Sequence, residues 1–488
     1  MIYIFSVLPL ISAFLIFIFG RIKENISWII AILCSFILLI FSFLTIFSNK
    51  VLVYTVGGWK IPFGICLVVD KFSSLFLIVI NLITFLSLIY SFSYMRKYDR
   101  LYFYYILFCL LLAGLNGVVI TGDLFNFFVF LEIASISSYA LVAYKGGREE
   151  LEASFKYLIL GSIGSSFILF GIAFIYGRLS TLNMADISNS LEFNYNKSSI
   201  IFALSLFIAG LSIKTALVPF HAWLADAHPA APSPISSMLS GVVIKVLGVY
   251  GLSRLIFNIF GFNYNLSLIL IFLGTLSMVV GVLLAIGQWD FKRLLAYHSI
   301  SQIGYVVLGL GIGTPMGIVG GLFHLFNHSI FKSLLFLNAG AIEYNIKTKN
   351  LKEMGDLSKV MPITSNSSLI ASLSIAGIPP FCGFWSKLFI ILAAFMANLK
   401  LAGFLCILVS LITLASFLKV QKYAFLDKTD KNFQDIKEVP FSMVFSMSFL
   451  AILCILVGLF FPLVKDYIIE PASNVLINGK DYFKVILN

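Results

Sequence analysis

Apolar stretches long enough to cross a bilayer recur from one end of this chain to the other, and nothing constrains its fold more. About 20 apolar residues span the hydrocarbon core, where backbone N–H and C=O groups must pair within the segment itself, so each stretch has to be a helix. By that ruler fourteen spans are expected, at 2–20, 27–48, 71–94, 102–121, 124–144, 155–176, 198–222, 233–257, 266–288, 294–313, 315–342, 362–397, 401–424 and 440–463. The chain is 60% hydrophobic and 11% charged, against roughly 25% charged in soluble domains. It reads as an all-α, multi-pass protein of the cell (inner) membrane. The connections around 49–70, 177–197, 343–361 and 425–439 are too short for independent domains, so residues 1–488 form a single membrane domain.

The opening MIYIFSVLPLISAFLIFIFG lacks a basic leader and a small-residue cleavage site, and is read as a retained first span. Six cysteines (Cys34, Cys66, Cys109, Cys382, Cys406 and Cys454) stand singly, with no C-x-x-C pair for zinc or an iron–sulfur cluster. The net charge of +11 is explained by its placement in loops, with no nucleic-acid partner expected. Loops after odd-numbered spans carry 19 Lys and Arg, among them Lys23, Lys292 and Lys431, and loops after even-numbered spans carry seven, including Lys197 and Arg254. The positive-inside rule then places the odd loops in the cytoplasm and both termini outside.

Four lysines and one acid fall inside the expected spans: Lys214, Lys245, Lys332, Lys387 and Glu132. A charge at mid-bilayer costs about 2.5 to 3.5 kcal/mol on insertion scales, so these five must face the protein interior. In LFHLFNHSIFKSLLFL (322–337), His324, His328 and Lys332 recur every four residues, one above another on one helical stripe. Three readings fit the two histidines. The i, i+4 spacing suits a metal or a haem, though no acid or cysteine shares the span; they are a buried pair satisfied by neighbouring helices; or, because imidazole both donates and accepts near neutrality, they relay protons with Lys332 through water. Glu132 is the one mid-membrane acid available to pair with a lysine.

Two spans are broken by proline. In SIKTALVPFHAW Pro219 frees the carbonyl of Thr215 beside Lys214, and in SIAGIPPFCGFW Pro379 and Pro380 free those of Ile375 and Ala376 on the helix of Lys387. Freed backbone at membrane depth persists only inside protein or along a wet cavity. The two segments echo each other five spans apart, and an odd offset reverses direction. Spans 4–8 and 9–13 therefore form an inverted repeat with one broken helix each, spans 7 and 12. The domain divides into 1–100, a first repeat over 101–260, a second over 261–425, and span 14 with the tail over 426–488.

The run SIKTALVPFHAWLADAHPAAPSPISSMLSGVVIKVLGVY (212–250), followed by QWDFKRLLAYHSISQIGYVVLGLG (288–311) and LFHLFNHSIFKSLLFLNAGAI (322–342), resembles the antiporter-like proton-translocating subunits shared by respiratory complex I, membrane-bound hydrogenases and Mrp-type cation/proton antiporters. The resemblance implies that Glu132 pairs with Lys214 of the seventh helix. It further implies that Lys245 links two half-channels, that His324, His328 and Lys332 form the eleventh-helix relay, and that Lys387 connects to the outside. It also implies other membrane subunits as partners, protons as the ion with carriage of Na+ left open, no cofactor and no chemistry in this chain itself. Lys387 departs from the complex I type that has glutamate there, and HPAAPSPIS is closer to the Mrp and hydrogenase branch, so a D-type Mrp subunit or its hydrogenase-linked counterpart is expected. His221 and His228, next to Trp223 and Asp226, fit capping or loop packing at least as well as proton relay, and His298 and Asp290 are expected to bond locally to backbone; all four stay outside the core site. Rival readings remain: a complex I pumping subunit, a stand-alone transporter of an organic solute, a redox subunit binding quinone or haem, and a structural scaffold.

Overall fold

The computed structural model describes residues 2–487 apart from 23, 49, 195–197, 429–432 and 434–435. Lys23, Lys197 and Lys431, counted above with the loop charges, lie outside the described residues. The principal helices are α1 (Ile4–Phe19), α2 (Glu24–Phe47), α3 (Lys71–Tyr94), α4 (Leu101–Ile120), α5 (Leu124–Val142), α6 (Arg148–Leu179), α7 (Met184–Asn194), α8 (Ser198–Thr215), α9 (Ala222–Ala230), α10 (Ser233–Ile259), α11 (Tyr264–Ile286), α12 (Phe291–Ile312), α13 (Pro315–Ile346), α14 (Pro362–Ala376), α15 (Cys382–Met396), α16 (Lys400–Leu426), α17 (Phe441–Leu459), α18 (Glu470–Ile477) and α19 (Tyr482–Leu487). Strands β1 (Leu52–Thr55) and β2 (Cys66–Val69) form an antiparallel hairpin with Leu52 opposite Val69.

Among the described residues eleven helices are long and apolar enough to cross a membrane, against fourteen spans expected; α1 and α15 are apolar but shorter. The protein is a predominantly helical, multi-span membrane protein. Its layering follows from the solvent it meets. Helices α1, α2, α11 and α16 turn large apolar side chains outward, such as Phe14, Leu44, Phe272 and Leu411, whereas α10 is buried along its whole length and α13 from Gly317 to Ile342. Lysines and histidines on α10 and α13 are thereby kept from lipid.

Both proline breaks interrupt helices, between α8 and α9 and between α14 and α15. The loosened backbone is re-satisfied locally, as burial requires. At the first break the Trp223 indole donates to the Ile213 carbonyl (3.1 Å), and Val218 N–H donates to Ser277 Oγ (2.9 Å) on α11. At the second, the carbonyls of Ile375 and Ala376 accept from Lys387 Nζ, and Ala376 also accepts from Ser410 Oγ.

Several charges that sequence position assigns to loops belong to helices, and two of them are buried in ion pairs. Arg254 lies within α10, where its guanidinium grips Asp70, the N-cap of α3, through two bonds of 2.7 and 3.0 Å. Lys292 lies in the first turn of α12, buried and paired with Glu343 at 2.5 Å. A loop count by sequence position assigns such residues to water because their partners are distant in the chain. Hairpin β1–β2, the Asp70–Arg254 pair and the C-terminal tail share one end of the bundle: Asn258 donates to the Val475 carbonyl (2.8 Å), and Tyr482 stacks against Arg254.

Candidate functional site

The seven residues singled out by sequence fall on five helices: Glu132 on α5, Lys214 at the end of α8, Lys245 on α10, His324, His328 and Lys332 on α13, and Lys387 on α15. Glu132 and Lys214 meet at 3.7 Å, with the Lys214 side chain 2% exposed and that of Glu132 26%. Ser165 of α6 donates to the same carboxylate. Lys214 also donates to Ser135 Oγ (2.9 Å) and Tyr139 Oη (3.3 Å), which share the Glu132 face of α5 at i+3 and i+7. Tyr139 packs edge-on against Tyr157, and Tyr157 stacks flat on Trp223 at 4.0 Å, which fixes the far side of the break.

Lys245 comes next. Residues Leu239–Tyr250 are wound in the wider π form, a departure that recurs at functional sites. Within it Lys245 Nζ donates to the carbonyls of Ser240 (2.5 Å) and Gly241 (2.9 Å). Gly248 and Gly241 flank it, and a Cβ at either would collide, with Thr215 beside Lys214 in one case and with Ser333 beside Lys332 in the other. Those two close approaches bring α8, α10 and α13 together around three lysines.

On α13, Lys332 Nζ has no hydrogen-bond partner among the described residues and lies 5.5 Å from the Phe336 ring centroid. Neither ring nitrogen of His328 has a hydrogen-bond partner among the described residues. The His324 and His328 rings lie parallel, with centroids 6.3 Å apart, and so do not converge on one point as a two-histidine metal site would. His324 pairs through Nδ1 with Ser386 Oγ (3.0 Å) and through Nε2 with Gln302 Oε1 (3.1 Å). Ser386 adjoins Lys387, whose Nζ bonds Ile375 O (2.7 Å) and Ser410 Oγ (3.2 Å) and lies 5.0 Å from the Tyr305 ring. A side pocket of about 200 Å³ between α15 and α16 reaches Lys387 among Ile378, Phe384, Leu388 and Leu411.

Sequence reasoning missed several members of this row. Gln302 and Tyr305 lie with His298 on one stripe of α12, at i, i+4 and i+7, a spacing visible in HSISQIGY. His298 does not bond locally to backbone as expected: it is buried, and its Nε2 pairs with Ser416 Oγ (2.8 Å) on α16. Asp290 does act locally, accepting from the Arg293 N–H as the cap of α12. His228 is fully buried with its ring stacked on Phe336. No group of three or more His, Cys, Asp or Glu positioned for a metal occurs among the described residues.

A chain carrying this row can be set beside known proteins. Residues 121–413 match the family described as NADH:quinone oxidoreductase/Mrp antiporter, TM, and residues 54–105 match the N-terminus of NADH-ubiquinone oxidoreductase (complex I) chain 5. This chain belongs to the NADH:quinone oxidoreductase/Mrp antiporter family. Among the similar members is the D-type subunit of the Na(+)/H(+) antiporter of Alkalihalophilus pseudofirmus, 37% identical over 385 residues, covering 78% of this chain and 77% of the relative. A chain of the Mrp complex from Dietzia sp. DQ12-45-1b superposes with a TM-score of 0.92 at 27% identity, covering 100% of this chain and 99% of that one. A chain of the membrane-bound sulfane sulfur reductase, an archaeal respiratory membrane complex, does so with a TM-score of 0.91 at 32% identity and the same coverage.

Proposed function

We propose that this chain is a proton-translocating, antiporter-like subunit of a multisubunit membrane complex of the Mrp Na+/H+ antiporter type, in the position of its D-type subunit. Protons move in the membrane plane from Glu132–Lys214 through Lys245, Lys332, His328 and His324 to Lys387. The observation that carries this reading is the succession of titratable side chains that starts at the partly exposed Glu132 on α5 and runs buried across α8, α10, α13 and α15, joined at Gly248, Gly241 and Ser386. Buried groups without a partner among the described residues, Lys332 Nζ and both nitrogens of His328, are the places where bridging water completes the path, since leaving a buried polar group unpaired costs about 1–3 kcal/mol.

The finer architecture belongs to the same proposal: fourteen spans, inverted repeats over spans 4–8 and 9–13 broken at spans 7 and 12, divisions at 1–100, 101–260, 261–425 and 426–488, odd loops in the cytoplasm and both termini outside. The breaks after Thr215 and Ala376 and the sharing of one end by the C-terminal tail and hairpin β1–β2 support it. Neighbouring membrane subunits are the partners. Glu132 shares an exposed flank of α5 with Phe125, Val129 and Ile136, and a partly exposed mid-helix carboxylate requires protein rather than lipid beside it. A partner that draws Glu132 from Lys214 alters the cost of keeping that ammonium charged. One charge crossing the full field exchanges about 2.3 kcal/mol per 100 mV, a size that ion-pair rearrangement near 4 Å supplies. The 32% identity to the sulfane sulfur reductase chain favours a respiratory complex as the second parent.

The test is proton flux in proteoliposomes holding the intact complex. Lys245→Met and Lys387→Met are expected each to stop flux without loss of assembly; full flux in either variant contradicts the reading.

A further inference from the structure

Lys387 differs from Lys245 and Lys332 in having a way to the outside of the bundle, and from Lys214 in having no acid beside it. Its partners among the described residues are all uncharged: the carbonyls of Ile375 (2.7 Å) and Ala376 (3.4 Å), Ser410 Oγ (3.2 Å) and the face of the Tyr305 ring. The side pocket of about 200 Å³ between α15 and α16 leads from this buried amine, past Phe384, Leu388 and Leu414, to Ile407 and Leu411, which are 40% and 59% exposed on the outward flank of α16. An apolar cleft with one charged group at its depth is the usual form of a small-molecule site. The amine is also free to take a new partner. Its bond to Ala376 is the longest of the three, and that carbonyl is held independently by Ser410 Oγ at 2.8 Å, so releasing it strands no buried acceptor.

We propose that this pocket binds a free fatty acid from the bilayer, with the carboxylate on Lys387 and the acyl chain between α15 and α16. Charge complementarity asks for an anion, and the apolar mouth asks that it arrive on a hydrocarbon body. A phospholipid phosphate stays at the headgroup level, and α15 runs on from Lys387 to Met396, about 13 Å at 1.5 Å per residue, before it ends. A carboxylic acid enters the hydrocarbon as the neutral form. Its O–H proton passes to the Nζ amine, and the carboxylate so formed accepts a charge-assisted bond from the ammonium so formed, with no further reactant. Binding stands on the pocket alone. Its consequence rests on the proton-translocation reading above: an occupied pocket ties up the group on which the row ends and stops flux.

The test uses the intact complex in vesicles and a diazirine-bearing palmitic acid, with its methyl ester as the uncharged twin, and reads the labelled peptides by mass spectrometry. The acid is expected to label α15 and α16 about 10- to 100-fold more than the ester, the worth of a hydrogen bond to a charged group, and Lys387→Met is expected to bring it down to the ester's level. Equal labelling by acid and ester, or labelling that survives Lys387→Met, overturns the site as mere partitioning of a tail. Absence of label on α15 and α16 in the wild type overturns it too, because a neighbouring subunit then covers the mouth. Leu411→Trp, which fills the mouth and leaves the row untouched, is expected to lose the labelling while keeping its flux at a palmitate concentration that halves wild-type flux; the leak that palmitate itself causes is common to both and cancels. Equal slowing of the two overturns the consequence for flux. Full flux in Lys387→Met with its labelling lost brings down the translocation reading and leaves the site standing, whereas lost flux with labelling retained does the reverse.

Discussion

Severing the Glu132–Lys214 pair gives the sharpest quantitative handle on the row. At 3.7 Å, two opposite charges attract by about 4 kcal/mol at an effective dielectric near 20. The Glu132 side chain retains 26% of its surface, which screens the pair, so an effective coupling of about 2 to 4 kcal/mol is expected. If that coupling sets the cost of moving charge on Lys214, Glu132→Gln slows proton flux by roughly 30- to 1,000-fold, at 1.36 kcal/mol per tenfold. Lys214→Gln is expected to fall in the same range. The double variant should be no slower than the worse single one, because each substitution already removes the same interaction. A double-mutant cycle on initial flux in proteoliposomes measures this directly. Rates that multiply, leaving an interaction energy under about 0.5 kcal/mol, refute the idea that the pair acts as a unit.

The pair at the hairpin end tests structure rather than transport. Arg254→Met leaves the Asp70 carboxylate buried without its partner and is expected to destabilise the protein by about 3 to 5 kcal/mol, read as a lowered midpoint in a detergent melt, whereas adding Asp70→Asn should recover part of the loss. At the first break, Trp223→Phe removes the N–H that reaches the Ile213 carbonyl and is expected to cost about 1 to 3 kcal/mol by the same melt, with assembly retained. At the second, Ser386→Ala is expected to lower flux by less than Lys387→Met does, because Ser386 bridges His324 to its neighbour without carrying the charge.

Charge in an oily background is the signal a single sequence transmits best. Glu132, Lys214, Lys245, Lys332 and Lys387 are legible because each has no reason to be in an apolar span unless it is enclosed, and the proline breaks announce where helices part. Pairing across the fold is much less legible. Arg254 and Asp70 are 184 residues apart, and Lys292 finds Glu343 only once α12 and α13 pack together, so both basic residues pass for loop charges. Glu343 escapes because it lies one residue beyond the expected end of span eleven, at 342, where a hydropathy ruler sees only loop. The polar neighbours that tune the row, Ser135, Tyr139, Gln302 and Ser386, are ordinary residue types whose importance comes from where the helices bring them.

The central claim, that an enclosed row of titrating side chains conducts, is tested most directly at Lys332. Its Nζ is buried with no hydrogen-bond partner among the described residues, so Lys332→Met should leave the fold as stable as before or more so, a trade between stability and function. The measurement is proton flux and thermal midpoint on the same proteoliposome preparation. Flux abolished with an unchanged or raised midpoint is the expected result; undiminished flux in a stably folded Lys332→Met complex contradicts the account.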